Sequence, residues 1–514
     1  MKIEDFRIDL EPLPGAVPVW RGQCVDAQEW RAACRQARHK GGRLVALWGS
    51  DNSDRSEGYA VHAALTVQGG LLVATLRLAG EAFPDISDIF PAANRMQRAI
   101  HDLLGLRAEG ALDQRKWLRH GAWPETEFPL RKSFDGGQRH HASADDYPFV
   151  RVEGEGVHEI PVGPVHAGTI EPGHFRFSAI GEGVLRLEER LGYTHKGIEK
   201  RFEQMTLAEG AKLAGRVSGD STVAYAWAYA MAVESVTYVT PPPRALWLRA
   251  LMLERERVGQ HLWDLGFLGN DAGFAFGLTQ FSRLREDYLR ANAALFGHRY
   301  LMDTIVPGGV ACDIDAEGIA GLHREIADLN KTVTLLRAIY EDHAGLQDRF
   351  VDCGRIRKDQ AERFGLTGLA GRSSGIADDL RVGATHAPYD QLGVRIAVRP
   401  GGDVAARATV RVEEVMESLR LIGLILSSLS AGEVFAPIPD APENAFGVGR
   451  VEGWRGEILI GLETGADNRI RRCHPHDPSW QNWPLVERAV LGNIVPDFPL
   501  INKSFDLSYS GHDL

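Results

Sequence analysis

The sequence predicts an α+β chain: a small α+β domain over residues 1–135, a polar linker over 136–159, and a mainly α-helical domain with small β-hairpins over 160–514. Three observations lead there. At 514 residues the chain is too long for one hydrophobic core. β-rich runs dominate the first region, and the chain turns predominantly helical after Gly197. Between them, residues 133–157 are polar and rich in His, Asp and Gly.

In the first region a helix is predicted over Ala27 to Lys40. Strands follow over Leu44 to Trp48, Tyr59 to Val67 and Leu71 to Leu78, the last two joined by Gln68-Gly-Gly, and a helix over Ala92 to Leu104 closes the unit. In the linker, the adjacent His140 and His141 read as solvated rather than metal-binding. From Ile160 a short β-region appears, in which Phe175 to Ile180 and Val184 to Leu187 flank Gly181-Glu-Gly183 as a hairpin. Helices are then expected over Leu207 to Val236, Arg244 to Leu265, Leu278 to Phe296, Ala316 to Glu341 and Val404 to Ser430. The last carries Val412, Val415, Met416, Leu419 and Ile422 at core-facing spacing. A second hairpin is read at Glu457 to Glu463 and Ile470 to Cys473.

Composition narrows the function. No apolar run approaches the roughly 20 residues that span a bilayer; Leu421 to Leu429 is the nearest, with nine. The N-terminus lacks a signal-peptide pattern, so the chain is expected in, or facing, the cytoplasm. A net charge of −11 argues against nucleic-acid binding. Among the five cysteines, Cys24, Cys34, Cys312, Cys353 and Cys473, no Cys-x-x-Cys pair exists, and they read as buried thiols. No Gly-x-Gly-x-x-Gly follows a strand, so any NADH site would lie on another subunit.

Three clusters carry candidate chemistry. Gly163-Pro-Val-His166-Ala-Gly-Thr-Ile-Glu171-Pro-Gly-His174-Phe-Arg176 gathers two histidines, a carboxylate and an arginine on a turn-rich loop, either as a proton relay or as surface histidines on a turn. Arg216-Val-Ser218-Gly-Asp220-Ser221 is read inside an Ala-rich helix, where serines three apart share a face. That face suits two thiolates on one metal, but hydroxyls are poor ligands for a soft ion, and the residues alone favour a small-residue face packed against a neighbouring helix. Arg372 to Arg381, with Asp379 and Arg381, reads as a buried charge network or a loop-clamping salt bridge. Glu254-Arg255-Glu256-Arg257 and Gly402-Asp403 ahead of Arg407 and Arg411 point to helix packing.

Together these segments resemble the large subunits of membrane-bound, energy-converting (group 4) nickel–iron hydrogenases and their complex I quinone-chamber relatives. The resemblance rests on the 163–176 loop, Leu191-Gly-Tyr-Thr-His-Lys-Gly-Ile-Glu-Lys200, Pro307-Gly-Gly-Val310, Arg372 to Arg381, Gly402-Asp403 with Arg407, and Arg455-Gly-Glu457, in family order. Phe90-Pro-Ala-Ala-Asn-Arg, Asp102-Leu-Leu-Gly105, Trp123 and Phe128-Pro-Leu-Arg-Lys132 are similar to the small complex I subunit that docks on the large one.

The resemblance implies a hydrogenase-large-subunit-like domain, fused to that docking domain, in an oxidoreductase complex of the NADH/ferredoxin–quinone or hydrogenase type. It also exposes a departure. The family's four nickel–iron cysteines fall on Ser218, Ser221, Ser508 and Gly511, and the chain runs only three residues past Gly511, leaving no room for a maturation tail. The quinone-headgroup tyrosine of complex I falls on Gly219, and a frequent hydrogenase histidine falls on Tyr225. The expectation is therefore no metal and no cofactor bound by this chain, with quinone as a possible acceptor and an iron–sulfur cluster on a small partner subunit. Glu171, His174 and Asp220 would handle protons, within walls formed by His166, Arg216, Ser218, Ser221, Tyr225, Asp379, Arg381, Asp506 and His512. Membrane ion-translocating subunits would be the other partners, with the chain peripheral on the cytoplasmic side of the membrane. The competing reading is a non-redox coupling subunit of an ion- or bicarbonate-handling complex. An open cavity at Gly219 favours the first reading, and a cavity filled by Tyr225 or Trp227 the second.

Overall fold

The computed structural model describes residues 3, 6, 8–137, 140–143, 146–203, 205–383 and 385–514. Strands β1 (Asp9–Leu13) and β2 (Val19–Cys24) precede helix α1 (Ala27–His39), whose Asp26 side chain accepts from the Glu29 amide as an N-cap. Then come β3 (Leu44–Asp51), β4 (Tyr59–Val67) and β5 (Gly70–Leu78), in a five-stranded sheet of order β1-β2-β5-β4-β3. Short β6 (Ala82–Pro84) and β7 (Arg107–Glu109) flank α2 (Ala93–Leu104). All eight residues of β3 are buried because both faces of the sheet are covered, one by the helices and one by the C-terminal sheet.

In the linker, His140 is half-buried 3.0 Å from the Glu127 carboxylate, and only His141 is exposed as expected. Tyr147 lies beneath the Arg190 guanidinium, 3.9 Å from its ring centre, which pins the chain here.

The second region opens with β8 (Val157–Val162), β9 (His174–Ile180) and β10 (Gly183–Arg190), antiparallel in the order β10-β9-β8. Helices α3 (Ile198–Phe202), α4 (Leu207–Ala214), α5 (Thr222–Thr237), α6 (Pro243–Asp271) and α7 (Ala275–Phe296) follow. The small ladder β11 (Ile305–Val306) and β12 (Gly309–Val310) precedes α8 (Ala316–Asp342), α9 (Ala344–Phe350), α10 (Lys358–Phe364), α11 (Gly368–Ser373), α12 (Tyr389–Leu392) and α13 (Val404–Ser428). The long helices α6, α7, α8 and α13 pack on one another as a bundle. The chain ends with β13 (Phe446–Glu452), β14 (Glu457–Thr464), β15 (Ile470–His476), α14 (Ser479–Ala489), α15 (Phe498–Phe505) and α16 (Tyr509–Asp513).

The helix expected over Leu207 to Val236 is broken. It stops at Ala214, Ser218 takes an extended conformation (φ −140°, ψ 112°), and a single tight turn over Gly219–Ser221 leads into α5. The cause is local: Gly, Ser and Asp are poor in a helix interior, and Glu256 of α6 caps the new start by accepting from the Val223 and Ala224 amides at 2.7 and 3.2 Å. Ser218 and Ser221 therefore do not share a helix face.

Every residue of α5 is buried, so its alanines are core packing rather than a weak helix signal. It lies directly on β13, where Gly447 and Gly449 let the backbones approach; a methyl group on Gly449 would overlap the Ala228 carbonyl. The β13–β15 sheet in turn packs on the N-terminal sheet. Val45, Trp48 and Val73 meet Phe446, Val448 and Leu459, and Trp48 is stacked between His62 and His474 at 5.0 and 5.1 Å. Replacing Gly449 with alanine should lower stability by about 1–3 kcal/mol through overpacking. Urea unfolding measures it, and an unchanged midpoint would contradict this α5–β13 contact.

Candidate functional site

Three segments converge on the break before α5: the turn 218–221, the β13–β14 connection at 453–456, and the C-terminal stretch 506–513, onto which the 163–173 loop between β8 and β9 folds through Glu171 and Gly173. Ser218 Oγ donates to Asp220 Oδ1 at 2.6 Å and lies 2.8 Å from Ser508 Oγ. A serine hydroxyl has one hydrogen to give, so Ser508 donates to Ser218, while Ser508 itself accepts from the Gly511 amide as the cap of α16. Two of the four expected ligand positions are thus hydrogen-bonded to each other. Ser221 Oγ accepts from Arg455 at 3.4 Å. Gly511 packs against the Asp477 carboxylate so closely that any side chain there would collide with it.

Arg455 joins the set. Its guanidinium donates to Asp220 Oδ2 at 2.6 Å and to the Asp506 carbonyl, and lies 3.5 Å from the Asp506 carboxylate. It stacks on Trp454, whose indole donates to the Asp220 carbonyl at 2.9 Å. Burial alone would raise the pKa of Asp220, but Arg455 and the Ser218 hydroxyl outweigh it and hold the carboxyl below its ordinary value. Behind Asp506, burial and the negative charge of Asp506 push Asp264 up to about 8, although Arg411 donates to it at 2.8 Å. Lys503 and Arg455 hold Asp506 itself low against its burial.

The loop residues are placed differently from one another. Glu171 accepts from the Ser510 amide at 2.9 Å and from its hydroxyl, tying the loop to the C-terminal stretch. His174, the first residue of β9, accepts from Arg176 Nε at 3.4 Å, so its Nδ1 carries the hydrogen that points to the Gly163 carbonyl. Burial lowers its pKa, and the ring is neutral at pH 7. His166 is half-buried, 3.1 Å from the Pro164 carbonyl and edge-on to Phe175. Among the described residues neither histidine hydrogen-bonds Glu171.

Other expected wall residues lie elsewhere. Arg216 forms an exposed two-pronged ion pair with Asp303 at 2.6 and 2.7 Å. His512 is fully buried, stacked on Trp480 at 4.0 Å and paired with Asp513. Asp379 and Arg381 pair at 2.7 Å inside a second buried cluster with Glu254. Tyr225 is buried and donates to Asp477 at 2.7 Å, and Trp227 packs against His386 and Tyr389. Neither fills the position above Gly219, which is exposed and would leave an added side chain open space. Asp477, Asp264 and Trp454 were not anticipated, and Glu256, read as helix packing, caps α5 from α6. Arg455 stood in a recognised motif, but nothing in its spacing announced two carboxylate partners some 235 and 51 residues away in sequence.

Comparison with known proteins shows the family. Residues 271–446 match the family of the respiratory-chain NADH dehydrogenase 49 Kd subunit, and residues 23–140 that of its 30 Kd subunit. The chain is 32% identical over 488 residues to formate hydrogenlyase subunit 5 of Escherichia coli (strain K12), covering 92% of this chain and 85% of that one. It is 28% identical over 457 residues to an NADH-quinone oxidoreductase subunit of Phocaeicola vulgatus, covering 84% and 87% respectively. A chain in the structure of the membrane-bound sulfane sulfur reductase, an archaeal respiratory membrane complex, superposes with a TM-score of 0.66. At 24% identity, over 70% of this chain and 99% of that one, this likeness speaks for the fold.

The Asp220–Arg455 pair sets a pH-dependent stability. A depressed folded-state pKa contributes above the unfolded value of 3.8 and is lost as pH falls through the lower folded value. The Asp220 side chain is 37% exposed, so Asp220→Asn should cost only about 1 kcal/mol at neutral pH, with the cost shrinking below pH 3.8. Urea unfolding at both pH values tests this, and a pH-independent difference would remove the ion pair as its cause.

Proposed function

The chain belongs to the family of large subunits shared by membrane-bound, energy-converting hydrogenases and respiratory complex I, with the small complex I subunit fused in front, and on that premise we propose that it works in a complex I-like oxidoreductase without a nickel–iron centre. In this reading a small acceptor, a quinone or a molecule of similar size, takes two electrons from an iron–sulfur cluster on a partner subunit. It takes two protons from this chain, and its reduction is coupled to ion movement in membrane subunits. Among the described residues no helix is long and apolar enough to cross a membrane, so the membrane arm would be a separate partner.

The open shelf at Gly219 beside the Asp220–Arg455 pair carries the proposal. An acceptor resting there would meet the ionised Asp220, with the buried Ser218 and Ser221 hydroxyls and Arg455 behind it to stabilise negative charge. Asp264, raised to about 8, is a protonated carboxyl one step behind Asp506, and the loop residues Glu171 and His174 would deliver protons from the solvent side. The donor set speaks against nickel and iron. Hydroxyls that stay protonated are poor ligands for soft metals, Ser218 and Ser508 already hydrogen-bond to each other, and Gly511 has neither a side chain nor room for one. The same shelf weighs against the purely structural reading, because Tyr225 and Trp227 are both turned away from it.

Gly219→Phe enters open space at an ordinary backbone angle, so it should leave the melting temperature unchanged while cutting acceptor reduction at least about tenfold, a loss of about 1.4 kcal/mol in transition-state binding. Equal activity in the two proteins would remove acceptor binding from this shelf. For the complex purified from membranes, we expect iron and acid-labile sulfide without nickel on this chain; stoichiometric nickel would overturn the reading. Glu171→Gln and His174→Ala should each slow reduction by roughly 10²-fold or more if they deliver protons, and wild-type rates in both would exclude them.

A further inference from the structure

Behind the site, in the interior of the helix bundle, lies a charged cluster that the proposed chemistry does not use. Four carboxylates, Glu254, Asp379, Glu414 and Glu452, face three guanidiniums, Arg257, Arg372 and Arg381, and one imidazole, His261. None of the eight is more than 4% exposed. Arg372 donates to Glu414 at 2.7 Å and Glu452 at 2.8 Å, Arg381 pairs with Asp379 and Glu254, and Arg257 with Glu414 at 3.3 Å. With four acids against three fixed cations, a dry interior demands one further proton. His261 is a poor place for it. Its Nε2 lies 2.9 Å from Glu414, but its Nδ1 is buried with no partner, so a doubly protonated ring would bury an unsatisfied N–H.

Hydrogen-bond partners single out one carboxyl. Glu254 accepts from Arg381, Tyr389 and Ser418. Asp379 accepts from the Arg381 side chain and amide, and Glu414 from Arg372, Arg257 and His261. Glu452 accepts only from one Arg372 nitrogen and from the Leu380 amide at 3.2 Å, the weakest support for a negative charge. Other charges facing this region already have partners of their own. Arg43 holds Glu457 and Asp378, Arg450 also holds Glu457, and Arg411 holds Asp264.

We propose that Glu452 is a proton-storage carboxyl, holding the exchangeable proton of this cluster and reporting its loss to the candidate site through the three residues that follow it. Glu452 ends β13. Arg257 grips the Glu452 and Gly453 carbonyls at 2.7 and 3.3 Å, and the next two residues are Trp454 and Arg455, which hold Asp220. An ionised Glu452 draws Arg372 and Arg257 toward itself, and Arg257 carries the 453–455 segment with it. The balance is a single proton, Glu–COOH to Glu–COO⁻ plus H⁺, with no redox partner needed. Burial, then the neighbouring Asp379 charge, raises its pKa to about 7, in keeping with the hydrogen-bond count.

The role in coupling rests on the function proposed above; the proton itself does not, and the two are tested separately. Infrared spectra of the full chain should show a buried carboxylic acid band that fades as pH rises through about 7. The component that fades near 7 should be absent in Glu452→Gln and retained in Asp264→Asn, which removes only a component fading near 8. A carboxyl raised from 4.5 to about 7 favours the folded state fully below 4.5 and loses that contribution as pH climbs to 7. Glu452→Gln, left with three acids against three cations, should fold and show a flatter stability–pH curve over that range. Survival of the component that fades near 7 in Glu452→Gln, or a stability curve as steep as wild type, overturns the storage site. In the assembled complex, acceptor reduction should lose its inflection near pH 7 in Glu452→Gln; an unchanged pH profile alongside the expected infrared result overturns the coupling alone.

Discussion

The Arg455 guanidinium is where the parts of this chain are made to depend on one another. It sits on the tight connection between two strands of the C-terminal sheet and reaches Asp220 on one side and Asp506 on the other. A buried guanidinium stripped of its acids would be severely destabilising, several kcal/mol for an uncompensated charge, so each partner segment must be delivered to it. That requirement fixes the break before α5, the left-handed turn at Asp506 that ends α15 (φ 45°), and the close seating of α5 on β13. The site is thus assembled from the same contacts that close the fold.

Much of this was legible where local pattern decides structure. The hairpins around Gly181–Gly183 and Thr464–Asp467, the long bundle helices and β3, β4 and β5 follow from apolar pattern and turn residues that act within a few positions, whereas β1, β2, β6 and β7 were not read. The α+β class follows with them. What failed is instructive. The helix read through Leu207 to Val236 was carried by alanines on both sides of a Gly-Asp-Ser break, and the residue that stabilises the break, Glu256, comes from another helix. Strand β13 was missed because its glycines read as weak strand signal, although they are what allow α5 to approach.

The candidate site divides in the same way. Ser218, Asp220, Ser221 and Ser508 were found because family motifs mark those positions, and the chain does gather them. Arg216 and His512 carry equally strong motif positions, yet one ends in an exposed pair with Asp303 and the other in a stack on Trp480. No one-dimensional signal separates the two outcomes, because side-chain direction is set by partners far away in sequence. Asp477 and Asp264 were invisible for that reason: isolated aspartates acquire meaning only beside Tyr225, Gly511, Asp506 and Arg411.

Thiolates binding a metal at 218, 221, 508 and 511 would tie the break before α5 to the chain's last turn by coordination bonds, and serines alone replace that tie poorly. Each neutral hydrogen bond contributes about 1 kcal/mol net, and a charge-assisted one about 1.5–3, against the roughly 10 or more that a structural metal site can supply. The remainder is visible in how the last residues are held. Leu507, Tyr509 and Leu514 are buried apolar side chains, and the Asp513 carboxylate accepts from the Gly192 amide and from both the amide and the hydroxyl of Thr194. His195 and Lys196 meet the final carbonyls at 2.7 and 3.0 Å. Apolar burial and a dense set of backbone contacts hold 506–513 in place. The Ser218 and Ser508 hydroxyls, bonded to each other, close the buried side of this turn, and Gly219 is left exposed above it.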